Sequence, residues 1–314
     1  MREDLVPKRP EYYVQTGSMF ENPYGVPHDE IMEMLVELPS EMAAQVIFGK
    51  YVELSGLVFT GELIQMLFDR NADHYANVWN KEFRVTGDRW VDKDARDHAR
   101  IADHWHKRRF FHTGVDVARQ TDYTVLTTLD TRTNPARVVA WRRMNRVPWE
   151  SIYREIGRAA YVWGPSILMD STGMAGDVIM DALEARRYCP LHDRCIVISS
   201  SHYCIDRNGE RLEGCDPETH IPLTCVEGYA FSTNSKKQLI DHTRSVMSTG
   251  YVAESGNPFG QIRCPPIVQL EEELSFYAWD DKGQETDTVM SLALAAWQGL
   301  EDVVGDAYVG PLYN

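Results

Sequence analysis

The chain has 314 residues, enough for one large domain or a main domain with a smaller companion. Its first residues, Met1 to Tyr13, mix charges with prolines and lack the apolar stretch of a secretory signal, and no run approaches the roughly 18 to 20 apolar residues of a membrane span. A formal charge of −15 excludes a uniformly basic coat for nucleic acid, although Lys107 to Arg187 carries 13 Lys and Arg against 9 Asp and Glu, so a locally basic face stays open.

Residues 1–105 read as mostly helical and irregular, with apolar-periodic stretches over 30–38, 41–52 and 60–68. Asn71 to His106 is charged and aromatic and reads as a linker or an adaptable surface layer. At Phe110 the pattern changes. Phe111 to Asp116 reads as a buried strand ending on a carboxylate, Asp122 to Leu129 as a second, and Val138 to Met144 as a third. Their short connections predict consecutive antiparallel hairpins. Pro148 then opens a helix that Gly164-Pro165 stops, and a fourth strand, Ser166 to Met169, runs into Asp170. Gly173 and Gly176 turn the chain into a second helix, and Cys195 to Ile198 is read as the fifth strand. Helical crossovers into strands four and five predict parallel pairing there. An irregular stretch with an Asn208-Gly209 turn follows, then a helix from Ser235 to about Ser248 and a last helix from about Asp287, apolar nearly all round and therefore buried.

Three antiparallel strands followed by helix, strand, helix, strand is the order of the ribonuclease H-like fold. The expected fold class is thus α/β, a mixed five-stranded sheet flanked by helices, with a smaller, mostly helical N-terminal region. The expected boundary falls at 105/106.

The six cysteines, at 189, 195, 204, 215, 225 and 264, all lie in the second half. A chain of this length without an export signal does not call for a disulfide scaffold. Cys189, His192, Cys195 and Cys204, with Cys215, His220 and Cys225 after them, leave zinc open as an alternative, but no C-x2-C pair occurs, and reduced, partly buried thiols are the preferred reading.

Asp116, Asp170 and Asp287 are the candidate site. The first two end apolar runs, where side chains converge at one edge of a partly parallel sheet, and the third starts the closing helix. Singly each has a plain alternative, a turn-starting Asp or a helix N-cap. Together they differ, because like charges gathered in a partly buried site repel unless a cation lies between them, and carboxylate oxygens are the ligands magnesium and manganese prefer.

Gly114-Val115-Asp116-Val117-Ala118 with Asp122-Tyr123-Thr124-Val125 resembles the first nuclease motif of phage terminase large subunits, and Leu168-Met169-Asp170-Ser171-Thr172-Gly173 resembles the second. Glu271-Glu272-Glu273-Leu274 is similar to the acidic helix before the third motif, which would be Glu285 to Ala295, with Glu285-Thr286-Asp287 where many relatives carry His-Asp-Asp. Asp280 and Asp281 lie nearby in a Gly-containing loop. The resemblance covers about residues 110–297. It implies cleavage of viral double-stranded DNA during genome packaging in the cytoplasm of an infected bacterium. Two Mg2+ or Mn2+ ions would be held by Asp116, Asp170 and Asp287, with Asp122 as an accessory acid. Lys107, Arg108, Arg142 and Arg143 are candidates for DNA-backbone contacts. The implied partners are the terminase small subunit, the portal protein and a separate ATPase part, since no G-x-x-x-x-G-K-[ST] occurs, while residues 1 to about 70 resemble the end of a terminase ATPase domain. The alternatives are a Holliday-junction resolvase or transposase-type nuclease of the same fold, and a non-catalytic packaging subunit.

Overall fold

The computed structural model describes residues 18–22, 25–37, 47–48, 57–69, 89–92, 94–96, 99, 108–118, 123–192, 194–197, 203–204, 208, 210–248, 251–252, 258–279 and 284–300. The chain divides into two compact units, Met1–Thr60 and Gly61–Asn314. In the first, helix α1 (His28–Glu37) sets Ile31 against Ile47, with Met19, Phe20, Val26 and Met34 around the pair. More than half of residues 1–70, the stretch expected to resemble the end of an ATPase domain, lies outside the described residues.

The second unit is built on a seven-stranded sheet. It begins with helix α2 (Gly61–Leu67) and strand β1 (Arg89–Val91), both from the stretch read as the N-terminal region. Strands β2 (Phe111–Asp116), β3 (Tyr123–Asp130) and β4 (Ala136–Asn145) form the expected antiparallel meander, and β1 adds to the free side of β4. Helix α3 (Trp149–Trp163) ends where Gly164 takes φ 123, and leads to β5 (Ile167–Asp170), which pairs parallel with β2. Helix α4 (Gly173–Glu184) follows, and then a three-stranded excursion of β6 (Arg186–Cys189), β7 (Arg194–Val197) and β8 (Ile221–Pro222).

The chain returns to the main sheet at β9 (Val226–Tyr229), parallel to β5. The order β4-β3-β2-β5-β9, antiparallel across the first three and parallel beyond, is the ribonuclease H-like topology. Here one expectation is corrected. The fifth strand of the main sheet is β9, whereas the segment read as that strand pairs antiparallel with β6 in the small sheet. Val-Glu-Gly-Tyr on a sheet edge exposes Glu227 and Gly228, so it lacks the apolar signature by which a buried strand is read.

Helices cover both faces of the sheet, so β2 to β4 are buried at nearly every position rather than at alternate ones. On one face Val115, Leu126, Met144, Ile167 and Met169 pack with Ile152 and Ile156 of α3 and with Ile179 and Leu183 of α4. Past α5 (Thr233–Ser248), strands β10 (Tyr251–Val252), β11 (Pro258–Phe259) and β12 (Ile262–Arg263) and helix α6 (Val268–Phe276), the last helix, α7 (Asp287–Leu300), lies across the other face of β2 and β3. It is buried nearly all round, as its composition requires.

Contact between α7 and the sheet is backbone-close. A Cβ at Gly114 would stand 2.0 Å from the Ser291 carbonyl oxygen and 2.5 Å from the Ala295 nitrogen. Ser291 fixes the crossing by donating to the Gly114 carbonyl at 2.9 Å and bonding Thr127 Oγ1 at 2.9 Å. The glycine two residues before Asp116 is therefore a packing requirement, and it sets how near the start of α7 comes to the end of β2.

Candidate functional site

Strand register brings the first two carboxylates together. The last registered pair of β2 and β5 is Val115 with Met169, so Asp116 and Asp170 follow at adjacent ends of parallel strands. The pleat then puts Asp116 on the face of Gly114, the face that α7 covers. Asp287 begins α7, and its Oδ2 accepts from the backbone N–H of Tyr123 at 3.0 Å, at the start of β3. The loop joining β2 to β3 is closed by Thr124, whose hydroxyl donates to the Ala118 carbonyl at 2.6 Å and accepts from the Ala118 N–H at 3.1 Å. Asp122 lies outside the described residues.

Asp116 is 9 % exposed, and its carboxyl is held well above the usual carboxylate range. Burial is the main cause, followed by the charges of Asp287, Asp170 and Glu273, while Lys236 pulls the other way. Three carboxylates are thus close enough to oppose the ionisation of a fourth. Asp170 is oriented by Thr172, whose backbone N–H donates to Oδ1 at 2.8 Å and whose hydroxyl donates to the same oxygen. That hydroxyl in turn accepts from the Phe231 N–H at 2.9 Å, which ties the loop after β5 to the one after β9.

Glu273 gives the site its frame. From α6 its carboxylate accepts from the N–H of Thr288 at 2.7 Å, the Thr288 hydroxyl at 2.7 Å and the N–H of Val289 at 3.1 Å. These are first-turn donors of α7, so Glu273 caps that helix from a neighbouring one. The groups that Asp287 would serve as an N-cap are occupied, and its own carboxylate is directed to β3. Burial raises Glu273 to about 7, against the opposing pull of those donors and of Arg143. Sequence reading placed Glu273 in an acidic helix without giving it a role. The available signal was its place beside Leu270 and Leu274 on the buried stripe of α6, where a carboxylate must find partners. Lys236, in the first turn of α5, carried no such signal.

The arginines expected to contact DNA are largely buried. Arg108, Arg142 and Arg143 are 9 %, 7 % and 8 % exposed. Arg108 donates to the carbonyls of Tyr161 and Val162 at the end of α3. Arg142 faces Glu155 at 3.9 Å. Arg143 donates to Glu285 at 2.7 Å, lies 3.8 Å from Glu273 and stacks 3.5 Å over the Tyr123 ring. Arg108 and Arg142 thus face groups inside the protein, whereas Glu285, the partner of Arg143, is exposed. Lys107 lies outside the described residues.

No family model and no curated protein matches the sequence. Solved structures that resemble it include nuclease domains of phage large terminases. One is the large terminase nuclease of thermophilic phage G20c with bound magnesium, 21 % identical, with a TM-score of 0.47 over 78 % of this chain and 98 % of that one. Its zinc-bound form gives 20 % identity and a TM-score of 0.44, over 77 % and 98 %. The nuclease domain of Thermus phage P74-26 gives 19 % and 0.42, over 77 % and 95 %.

Proposed function

We propose that the chain is a divalent-metal-dependent endonuclease that cleaves double-stranded DNA during phage genome packaging, with Asp116, Asp170 and Asp287 as its metal ligands. The observation that carries this reading is the electrostatic load on Asp116, a nearly buried carboxyl that Asp287, Asp170 and Glu273 all oppose. The donor set consists of carboxylate oxygens, with Lys236 as the cation acting on Asp116. A hard dication such as Mg2+ or Mn2+ fits such a set, whereas softer ions seek nitrogen and sulfur. The motif resemblance supports the same reading, since it draws on the three strand and helix ends that the fold gathers.

When bound, such ions neutralise a phosphodiester and make water acidic enough to attack it near neutral pH. The chain's own residues do the rest. Asp116 and Asp170 present their oxygens from a rigid pair of strands, and Thr172 fixes the Asp170 carboxylate. Glu273 holds the end of α7 so that Asp287 keeps its place beside Tyr123. Asp122 stays in the proposal as an accessory acid. DNA, a small subunit, a portal and an ATPase part are the proposed partners, and the host cytoplasm the proposed place of action. No helix among the described residues is long and apolar enough to cross a membrane.

Plasmid nicking by the purified chain tests the proposal. Cleavage should require Mg2+ or Mn2+, cease with EDTA, need no ATP, and drop by orders of magnitude in Asp116→Asn and Asp170→Asn. Full activity in Asp116→Asn would sink it. Selective cleavage of four-way junctions would favour the resolvase alternative.

A further inference from the structure

The small sheet gathers a second, chemically different set of groups. Cys189 ends β6, His192 lies in the turn that follows, and Cys204 and Cys215 come from the segment between β7 and β8. The three sulfurs and a ring nitrogen of His192 all lie within 4.8 Å of one another. Cys189 Sγ and His192 Nδ1 are 3.4 Å apart. Bond lengths of about 2.3 Å to sulfur and 2.0–2.1 Å to nitrogen in a tetrahedron put neighbouring donors about 3.5–3.8 Å apart, so a small contraction closes the set around one ion. The cysteines are free rather than disulfide-bonded, and all three are buried.

Two further observations point the same way. Cys215 Sγ receives the backbone N–H of Cys204 at 3.2 Å and lies 3.2 Å from Nε2 of His220, itself 3 % exposed. A neutral thiol is a weak acceptor, and a backbone N–H together with an imidazole, which donates here in its Nε2–H tautomer, suits a thiolate with an outer shell. Among the described residues, Tyr203 and Leu212 pack against the three cysteines, while Tyr188 and Ile221 of the same sheet are committed to the main core. A metal ion holds such a small sheet together by its ligands.

We propose that Cys189, His192, Cys204 and Cys215 bind one structural zinc ion, with His220 as a donor to the Cys215 sulfur. Three sulfurs and one nitrogen form a set that zinc favours and magnesium does not, and four protein ligands leave no open position for chemistry. The ion ties the excursion between β6 and β9 together. Since β9 pairs with the strand that carries Asp170, its loss would loosen that edge of the sheet. Spacing in the sequence hides the site because two of its ligands come from irregular segments. The inference is independent of the nuclease reading.

Elemental analysis of the full chain, purified without chelator, should find about one equivalent of zinc. X-ray absorption should show a shell of three sulfurs and one nitrogen, and cobalt exchanged into the protein should give the visible bands of tetrahedral thiolate coordination. Asp116→Asn and Cys225→Ser should keep the zinc. Cys204→Ser should lose it and melt several degrees lower. If that variant does not fold, the wild-type absorption spectrum decides alone. Less than about a tenth of an equivalent after zinc is supplied, an oxygen-only shell, or zinc lost in Asp116→Asn but kept in Cys204→Ser would overturn the proposal.

Discussion

Replacing Glu273 separates two explanations of how α7 is held at the site. In Glu273→Ala, the Thr288 N–H, the Thr288 hydroxyl and the Val289 N–H lose their acceptor, and Thr288 and Val289 are fully buried. A buried donor left without a partner costs about 1–3 kcal/mol, and water entering the truncated site recovers part of that, so the loss should be about 3–5 kcal/mol. Glu273→Gln keeps the shape and one acceptor oxygen, and should cost about 1–2 kcal/mol. Asp287→Asn removes no cap, because Glu273 is the cap, so its stability should change by less than about 1 kcal/mol while nicking collapses. Urea unfolding in metal-free buffer, run beside plasmid nicking at several manganese concentrations, measures both. Glu273→Ala should also need more manganese for half-maximal nicking, since its effect on chemistry passes through the position of Asp287. The reasoning is refuted if Asp287→Asn is destabilised as much as Glu273→Ala, because Asp287 would then be the structural residue.

Three other outcomes follow from the geometry. Asp116→Asn should raise the melting temperature of the metal-free protein by a few degrees, since it removes a buried charge that three carboxylates oppose, and should lose the rise that manganese gives the wild type; scanning calorimetry with and without manganese checks both. Gly114→Ala should cost more than about 3 kcal/mol and abolish nicking, because its methyl group would meet backbone atoms of α7 rather than a yielding side chain, and a variant that unfolds like wild type would refute this. His112, bonded to Ser166 at 2.8 Å, has its pKa lowered by burial against the opposing pull of Asp130, so its neutral form stabilises the fold above about pH 6.5 and that contribution is lost as pH falls through the lowered value. His112→Gln should flatten this acid limb in melting curves taken across pH, and an unchanged slope would exclude His112 as its source.

The core strands were legible because each carries a dense β-forming stretch of apolar residues and threonines with turn residues after it. Asp116 and Asp170 were legible as charges that end such stretches. The edge strand β9 was not, because Glu227 faces solvent and, with Gly228, interrupts the apolar pattern. The cap on α7 was not, because Glu273 and Thr288 meet only in three dimensions, across 15 residues of sequence. The partners of Arg142 and Arg143 were not legible either, because successive strand residues face opposite sides of the sheet, and here each side offers a carboxylate, Glu155 for one and Glu285 with Glu273 for the other.

That inward use of arginine bears on how an acidic chain could hold DNA. Phosphate is attracted by positive charge at the point of contact, whatever the charge of the whole. Arg142 faces Glu155, Arg143 faces Glu285 and Glu273, and Lys236 is the cation that acts on Asp116. An arginine salt-bridged to Asp116 would stabilise the apo protein, and it would compete with a dication for the same oxygens. Under the proposed function, carboxylates opposed by one lysine rather than an arginine keep their charge for ions that would face phosphate from the other side. Arg143 then holds Glu273 and Glu285 without screening the proposed metal ligands.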